Sequence, residues 1–238
     1  MNEIEKVKFN NNGYLVFENI YTETELSNII HEIESADTQR DTFRKSGELF
    51  AIRQFLKEIP AVFNLIFNNK LKSQIKTILG ENYFIVKSIY FDKPETANWY
   101  VTYHQDLTIS VDKKVDLPNF GPWTVKQNQF AVQPPLSILE NSSTIRIHLD
   151  DTSEFNGALK IIPGSHLKQI YRPETINWEN EKEVICNVSK GGVMFMKPLI
   201  LHSSGRTSNN NRRRVIHIEF SSIELPNELL WAERMEIW

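Results

Sequence analysis

After a short strand-like run at Gly13 to Phe17, the apolar residues of this chain keep helical spacing up to Gly80 and strand-like spacing beyond it. That change of period limits the possible folds more than any other feature of the sequence. Before it, Thr22 stands as an N-cap with Glu25 three residues on, as in a capping box. Leu26, Ile29, Ile30 and Ile33 then recur on one helical face. A second helix is predicted over Ala61 to Leu79, with Phe63, Ile66, Phe67, Leu71, Ile75 and Ile78 on its apolar side and Gly80 closing it. Gly13 to Phe17 reads as a short strand ahead of both. After Gly80, the β-rich run Tyr83 to Phe91 opens a series of short strand-like segments that continues to about Phe220. Helices followed by many strands predict helices packed on a sheet sandwich or barrel.

Two late strands have chemically divided faces. Ile145, Ile147 and Leu149 share one face, opposite Arg146, His148 and Asp150; Ile216, Ile218 and Phe220 lie opposite Arg213, His217 and Glu219. One reading is a sheet with a wet side, the commoner situation for antiparallel strands. In the other, helices cover the apolar faces and the polar faces line a pocket. Arg146 is the main pocket candidate, because a buried cation demands an anionic partner. That partner is a substrate, a cofactor or, in an internal salt bridge, Asp150.

At 238 residues the chain suits a single domain over 1–238, and 40% hydrophobic residues suffice for a sizeable core. A net charge of −3 gives no reason to expect a nucleic-acid partner. The first residues lack the apolar core of a signal peptide, and no apolar run approaches the ~18 residues of a membrane span. The single Cys186 excludes an internal disulfide and fits a reducing compartment, so a cytoplasmic location without membrane attachment is expected. Oligomeric state is left open.

His104-Gln105-Asp106 carries the chemistry. A histidine and an aspartate two apart on an extended strand point to the same side. With a second imidazole from His202, they make up the two-histidine, one-carboxylate set of an oxygen-activating iron(II) site. The tripeptide alone is weak evidence, so the surrounding segments must decide.

Those segments resemble the phytanoyl-CoA dioxygenase family of iron(II)- and 2-oxoglutarate-dependent oxygenases. The resemblance rests on Phe91 to Pro94, Asn98-Trp99, Tyr103 to Leu107, Ile147 to Asp151, Asn156 to Leu159, Pro163 to His166, Gly191-Gly192 and His202 to Ser204 with Arg213. It implies a mainly β fold with flanking α-helices around a double-stranded β-helix, a jelly-roll or cupin-like core. It implies His104, Asp106 and His202 as metal ligands, with Arg213 and Ser204 holding the distal carboxylate of 2-oxoglutarate. A guanidinium suits that task because its planar fork meets a carboxylate with two hydrogen bonds. Fe(II), 2-oxoglutarate and O2 are the implied cofactors, and hydroxylation of a small-molecule metabolite with release of succinate and CO2 is the implied reaction.

Tyr103 stands where the family often has Trp, and Gly191-Gly192 where Gly-Asp is common; neither change removes a ligand. The retained Asp106 argues against halogenation, which needs its coordination position. Arg146, Asn98, Trp99 and Trp123 are the substrate-side candidates. Arg212 and Arg214 are expected to point away from Arg213, and His166 to serve a turn. The competing reading is a jelly-roll protein that binds a metal or small ligand without turnover.

Overall fold

The structure, a computed structural model, describes residues 2–37, 42–46, 49–93, 100–126, 129–209 and 211–238. The chain opens with α1 (Asn2–Asn12), β1 (Tyr14–Phe17) and α2 (Glu23–Glu34). Thr22 and Glu25 cap α2 reciprocally, as the capping-box spacing predicts. After β2 (Phe43–Ser46), β3 (Leu49–Arg53) and α3 (Phe55–Glu58), the segment predicted as one helix divides into α4 (Val62–Ile66) and α5 (Asn69–Ile78). Asn68 causes the break. Its backbone is extended and its side chain accepts the Leu71 amide at 2.9 Å, so it starts a new helix instead of continuing the old one. The apolar face survives the interruption, since Val62, Ile66, Phe67, Leu71, Ile75 and Ile78 all enter one core.

The remaining elements are β4 (Phe84–Lys93), β5 (Val101–His104), β6 (Ile109–Val111), β7 (Trp123–Lys126), β8 (Gln129–Val132), α6 (Leu136–Glu140) and β9 (Ser142–His148). They continue with β10 (Leu159–Ile161), β11 (Val184–Cys186), β12 (Val193–Met196), β13 (His202–Ser204) and β14 (Arg213–Ser221). Seven strands form a sheet in the order β1-β12-β9-β14-β4-β3-β2, and a second sheet runs β11-β10-β13-β5. A small third sheet, β6-β8-β7, packs on its own apolar cluster with Val132, Leu139 and Trp231.

The divided strands decide the architecture. Ile145, Ile147, Leu149, Ile216, Ile218 and Phe220 pack against Leu26 and Ile29 of α2 and Leu71 and Ile75 of α5. Complete burial of such a side chain contributes about 1.5–3 kcal/mol, so this layer dominates stability. The opposite face of the same strands is turned toward the four-stranded sheet, and polar side chains from both sheets line the cavity between them. Two antiparallel sheets face to face with helices on one outer side make the expected jelly roll. No helix among the described residues is long and apolar enough to cross a membrane.

Gly13 and His166 tie the start of the chain to this frame. Gly13 has φ +78°, and a Cβ there would lie 2.4 Å from the His166 ring. The ring in turn bonds the Asn10 carbonyl at 2.9 Å, the structural role predicted for the turn at Pro163 to His166.

Candidate metal centre

Strands β5 and β13 pair antiparallel with His104 and His202 directly opposite each other. Asp106 follows β5, where its backbone amide donates to the Pro198 carbonyl at 2.9 Å. Between the two, Gln105 is buried and fully used. Its amide nitrogen donates to the Leu199 carbonyl at 2.5 Å and the Gln169 carbonyl at 2.7 Å, while its oxygen accepts the Tyr171 amide at 2.9 Å. One side chain thus fastens the His104–Asp106 segment to the segment leading into His202.

The imidazole orientations follow from their partners. His104 Nδ1 lies 2.9 Å from the Thr102 carbonyl and His202 Nδ1 lies 2.9 Å from the Ile200 carbonyl. A carbonyl only accepts, so both Nδ1 atoms carry the proton and both Nε2 atoms keep a free lone pair. These Nε2 atoms face Asp106, at 3.9 Å from Oδ1 for His104 and 3.8 Å from Oδ2 for His202. The three donor atoms all lie within 4.8 Å of one another. That spacing is too long for hydrogen bonds and suits donors gathered around a cation.

Electrostatics agree with this geometry. Burial lowers the His202 pKa, which favours the neutral form a ligand requires. For Asp106 burial acts upward, but His202, His217, Lys87 and His104 around it outweigh that and hold the carboxyl below its ordinary value. The residues therefore present two imidazole Nε2 atoms and one carboxylate, a donor set that fits a divalent iron ion.

The cavity beside the triad has a volume of about 280 Å³ and is walled by Phe91, Val101 and Leu159. Arg213 lies in it, buried, with Nη1 donating to the Gly157 carbonyl and with Nε buried without a partner among the described residues. Such an orphaned donor fits an anionic ligand. Gly157 makes the approach possible. It has φ +85°, and a Cβ there would meet the Gly205 carbonyl at 3.0 Å and Lys93 Nζ at 3.2 Å. Ser204, from β13, lines the same cavity.

The neighbouring arginines turn away, as alternation on a strand requires. Arg212 pairs with Asp92 and Arg214 with Asp150, the latter through two side-chain hydrogen bonds of 2.7 and 2.9 Å. Asp150 is thereby committed and is not the partner of Arg146. Instead Arg146 enters the cavity, with Nη1 3.4 Å from His217 Nδ1. His217 Nε2 bonds Glu219 at 3.0 Å, and Lys87 bonds Glu219 at 2.7 Å. His148 is buried, bonded through Nδ1 to Thr152 at 2.7 Å, and does not line the cavity.

Of the other candidates, Trp123 lies in β7 and packs on the second apolar cluster, apart from the cavity. Asn98 and Trp99 fall outside the described residues. Lys93 is the residue the sequence reading missed. It lines the cavity and stands directly opposite Arg213 across β4 and β14. Its signal was available in alternation: Phe91 and Lys93 share one face at the end of a long β-rich run. Burial and Arg213 lower the Lys93 pKa to about 8, and burial with Arg146 lowers that of Arg213 to about 9.

Known proteins share this frame. At the level of solved structures, the chain superposes on SnoN, a non-heme α-ketoglutarate-dependent epimerase from nogalamycin biosynthesis, with a TM-score of 0.68 and 15% identity over 92% of this chain and 82% of the other. EctD from S. alaskensis, solved with 2-oxoglutarate and 5-hydroxyectoine, gives 0.70 and 17% over 92% and 75%. These likenesses establish the fold. A probable α-ketoglutarate-dependent hypophosphite dioxygenase from Stutzerimonas stutzeri is 23% identical, covering 89% of this chain and 76% of the relative. Peroxisomal phytanoyl-CoA dioxygenase from Bos taurus is 21% identical, covering 92% and 68%. The phytanoyl-CoA dioxygenase family model matches residues 9–215, which include the three donor residues and Arg213. The chain belongs to the phytanoyl-CoA dioxygenase family.

Proposed function

We propose that the chain is an iron(II)- and 2-oxoglutarate-dependent dioxygenase that hydroxylates a small-molecule metabolite. The observation that carries this reading is the convergence of two Nε2 atoms and the Asp106 carboxylate beside a buried Arg213 whose Nε has no partner among the described residues. His104, Asp106 and His202 would hold the metal, and Arg213 with Ser204 the distal carboxylate of 2-oxoglutarate. The relatives' names point to very different substrates, hypophosphite and phytanoyl-CoA, so neither is transferred to this chain. The same proposal includes one domain over 1–238 and a cytoplasmic location, the latter supported by the unpaired, buried Cys186.

When bound, iron with 2-oxoglutarate supplies oxygen activation, and decarboxylation to succinate and CO2 drives oxidation of a C–H bond. The chain's own residues position and exclude. Backbone carbonyls of Thr102 and Ile200 fix both imidazole tautomers. Arg213 would bind and orient the co-substrate, and Phe91, Val101 and Leu159 would restrict water in the cavity they wall. The test is succinate formation from 2-oxoglutarate that depends on added iron(II). Metal binding without any affinity for 2-oxoglutarate would instead favour the non-catalytic jelly-roll binder.

A further inference from the structure

Cation crowding in the cavity exceeds what a co-substrate needs. Among the described residues its lining includes three cationic side chains, Lys93, Arg146 and Arg213, and a single carboxylate, Asp106. On the dioxygenase reading, Asp106 and one carboxylate of 2-oxoglutarate would balance the two charges of the metal. The other carboxylate meets Arg213, with Lys93 directly across the strand pair. Arg146 is left without an anion.

Its surroundings supply no ion-pair partner: Asp106, across the same cavity, acts on it only at a distance and is committed to the metal on this reading. No carboxylate among the described residues lies within 4.0 Å of the Arg146 guanidinium, because Asp150 is bound by Arg214. Its hydrogen bond to His217 goes to a ring nitrogen and not to a carboxylate, and its own Nε is buried without a partner among the described residues. Cys186, near enough to interact electrostatically, has its thiol pushed up to about 12 by burial and stays uncharged at neutral pH. A guanidinium removed from water without an opposite charge is costly unless a ligand supplies one. The strand geometry holds it ready: Arg146 and His217 are direct partners across β9 and β14, and the Lys87–Glu219–His217 chain fixes the ring against it.

We infer that the primary substrate carries an anionic group, a carboxylate or a phosphorus or sulfur oxoanion, that binds Arg146 while 2-oxoglutarate occupies Arg213. This rests on the dioxygenase reading and narrows it to a substrate class. A planar fork of donors suits either type of oxoanion, so Arg146 fixes the charge of the group and not its central atom.

Calorimetry on the chain loaded with Mn(II) and saturating 2-oxoglutarate tests this without turnover. The titrants are acetate, phosphate, phosphite and sulfate, with acetamide as the uncharged control. At least one anion is expected to bind and acetamide not to bind. In Arg146→Gln that anion loses affinity on the order of 10-fold or more, while 2-oxoglutarate binds as before; Arg146→Lys retains part of the anion affinity. Retained Mn(II) binding shows that each variant is folded. Absence of anion binding by the loaded wild type overturns the inference. So does an equal loss of 2-oxoglutarate affinity in Arg146→Gln, which reassigns the arginine to the co-substrate. Failure of the Mn(II)-loaded wild type to bind 2-oxoglutarate is a different result, and it removes the dioxygenase reading together with the inference.

Discussion

His104 and His202 are cross-strand partners in the β5–β13 pair, with ring centroids 4.2 Å apart. Nearly a hundred residues of sequence separate them, yet a single strand pairing sets their relation. Each ring is turned by a hydrogen bond from Nδ1 to a carbonyl two residues earlier, Thr102 within β5 for His104 and Ile200 just before β13 for His202. The relation of the two imidazoles is therefore a property of the sheet, while Asp106, just past β5, is held by its amide bond to the Pro198 carbonyl.

Gln105 is the fastener of that geometry. Replacing it with Ala leaves the carbonyls of Leu199 and Gln169 and the amide of Tyr171 without their partner. Loss of such support around a metal site typically costs about 10–100-fold in metal affinity. A Mn(II) titration of Gln105→Ala is expected to show a loss in that range. An unchanged dissociation constant would mean that the strand pairing alone holds the ligands.

Much of this site was legible because its residues follow simple periods. His104 and Asp106 are two apart, and Arg213 alternates with Arg212 and Arg214, so each could be assigned a side. The capping box at Thr22 and Glu25 was readable for the same reason: its signal is local. The break at Asn68 was not, because the apolar spacing runs through it and only a side-chain hydrogen bond to Leu71 divides the helix. Lys93 escaped notice because its meaning depends on register, which places it opposite Arg213 from a distant strand. The commitment of Asp150 to Arg214 is likewise a tertiary choice, since local alternation says only that Asp150 shares a face with Arg146.

Arg213 is expected to govern co-substrate affinity. Removing one partner of a buried, charge-assisted contact costs roughly 2–5 kcal/mol, so Arg213→Ala is expected to weaken 2-oxoglutarate binding on the order of 100-fold. Metal affinity is expected to change little, because Arg213 is bonded to the Gly157 carbonyl and not to a ligand. An unchanged 2-oxoglutarate requirement would place the carboxylate elsewhere.

Proton linkage offers a separate check through Lys93. With its pKa lowered to about 8 by burial and Arg213, Lys93 is charged at pH 7 and largely neutral at pH 9.5 in the free protein. A bound carboxylate favours the charged amine and raises its pKa, so binding takes up a proton. Affinity for 2-oxoglutarate is therefore expected to fall between pH 7 and pH 9.5, less steeply in Lys93→Met because Arg213, lowered to about 9, loses charge only in the upper part of the interval. Calorimetry in buffers of different ionisation enthalpy is expected to register proton uptake near pH 8.5. A flat affinity profile over this interval would contradict a role for Lys93 beside the co-substrate.

Gly157 links backbone strain to the site. Alanine there must adopt φ +85° and bring Cβ against the Gly205 carbonyl and Lys93. Gly157→Ala is expected to lower stability by about 1–3 kcal/mol and to weaken 2-oxoglutarate binding, because the carbonyl that steadies Arg213 shifts. Chemical denaturation and the 2-oxoglutarate titration check the two effects independently. If both values match the wild type, the close approach at Gly157 is unimportant to the site.

The central claim is tested most directly by measuring succinate produced from 2-oxoglutarate with and without iron(II), in the wild type and in His104→Ala. Iron-dependent succinate formation by the wild type and its loss in the variant, with the fold retained, are expected. Succinate formation at an undiminished rate in His104→Ala, or none by the iron-loaded wild type with its anionic substrate, would contradict it.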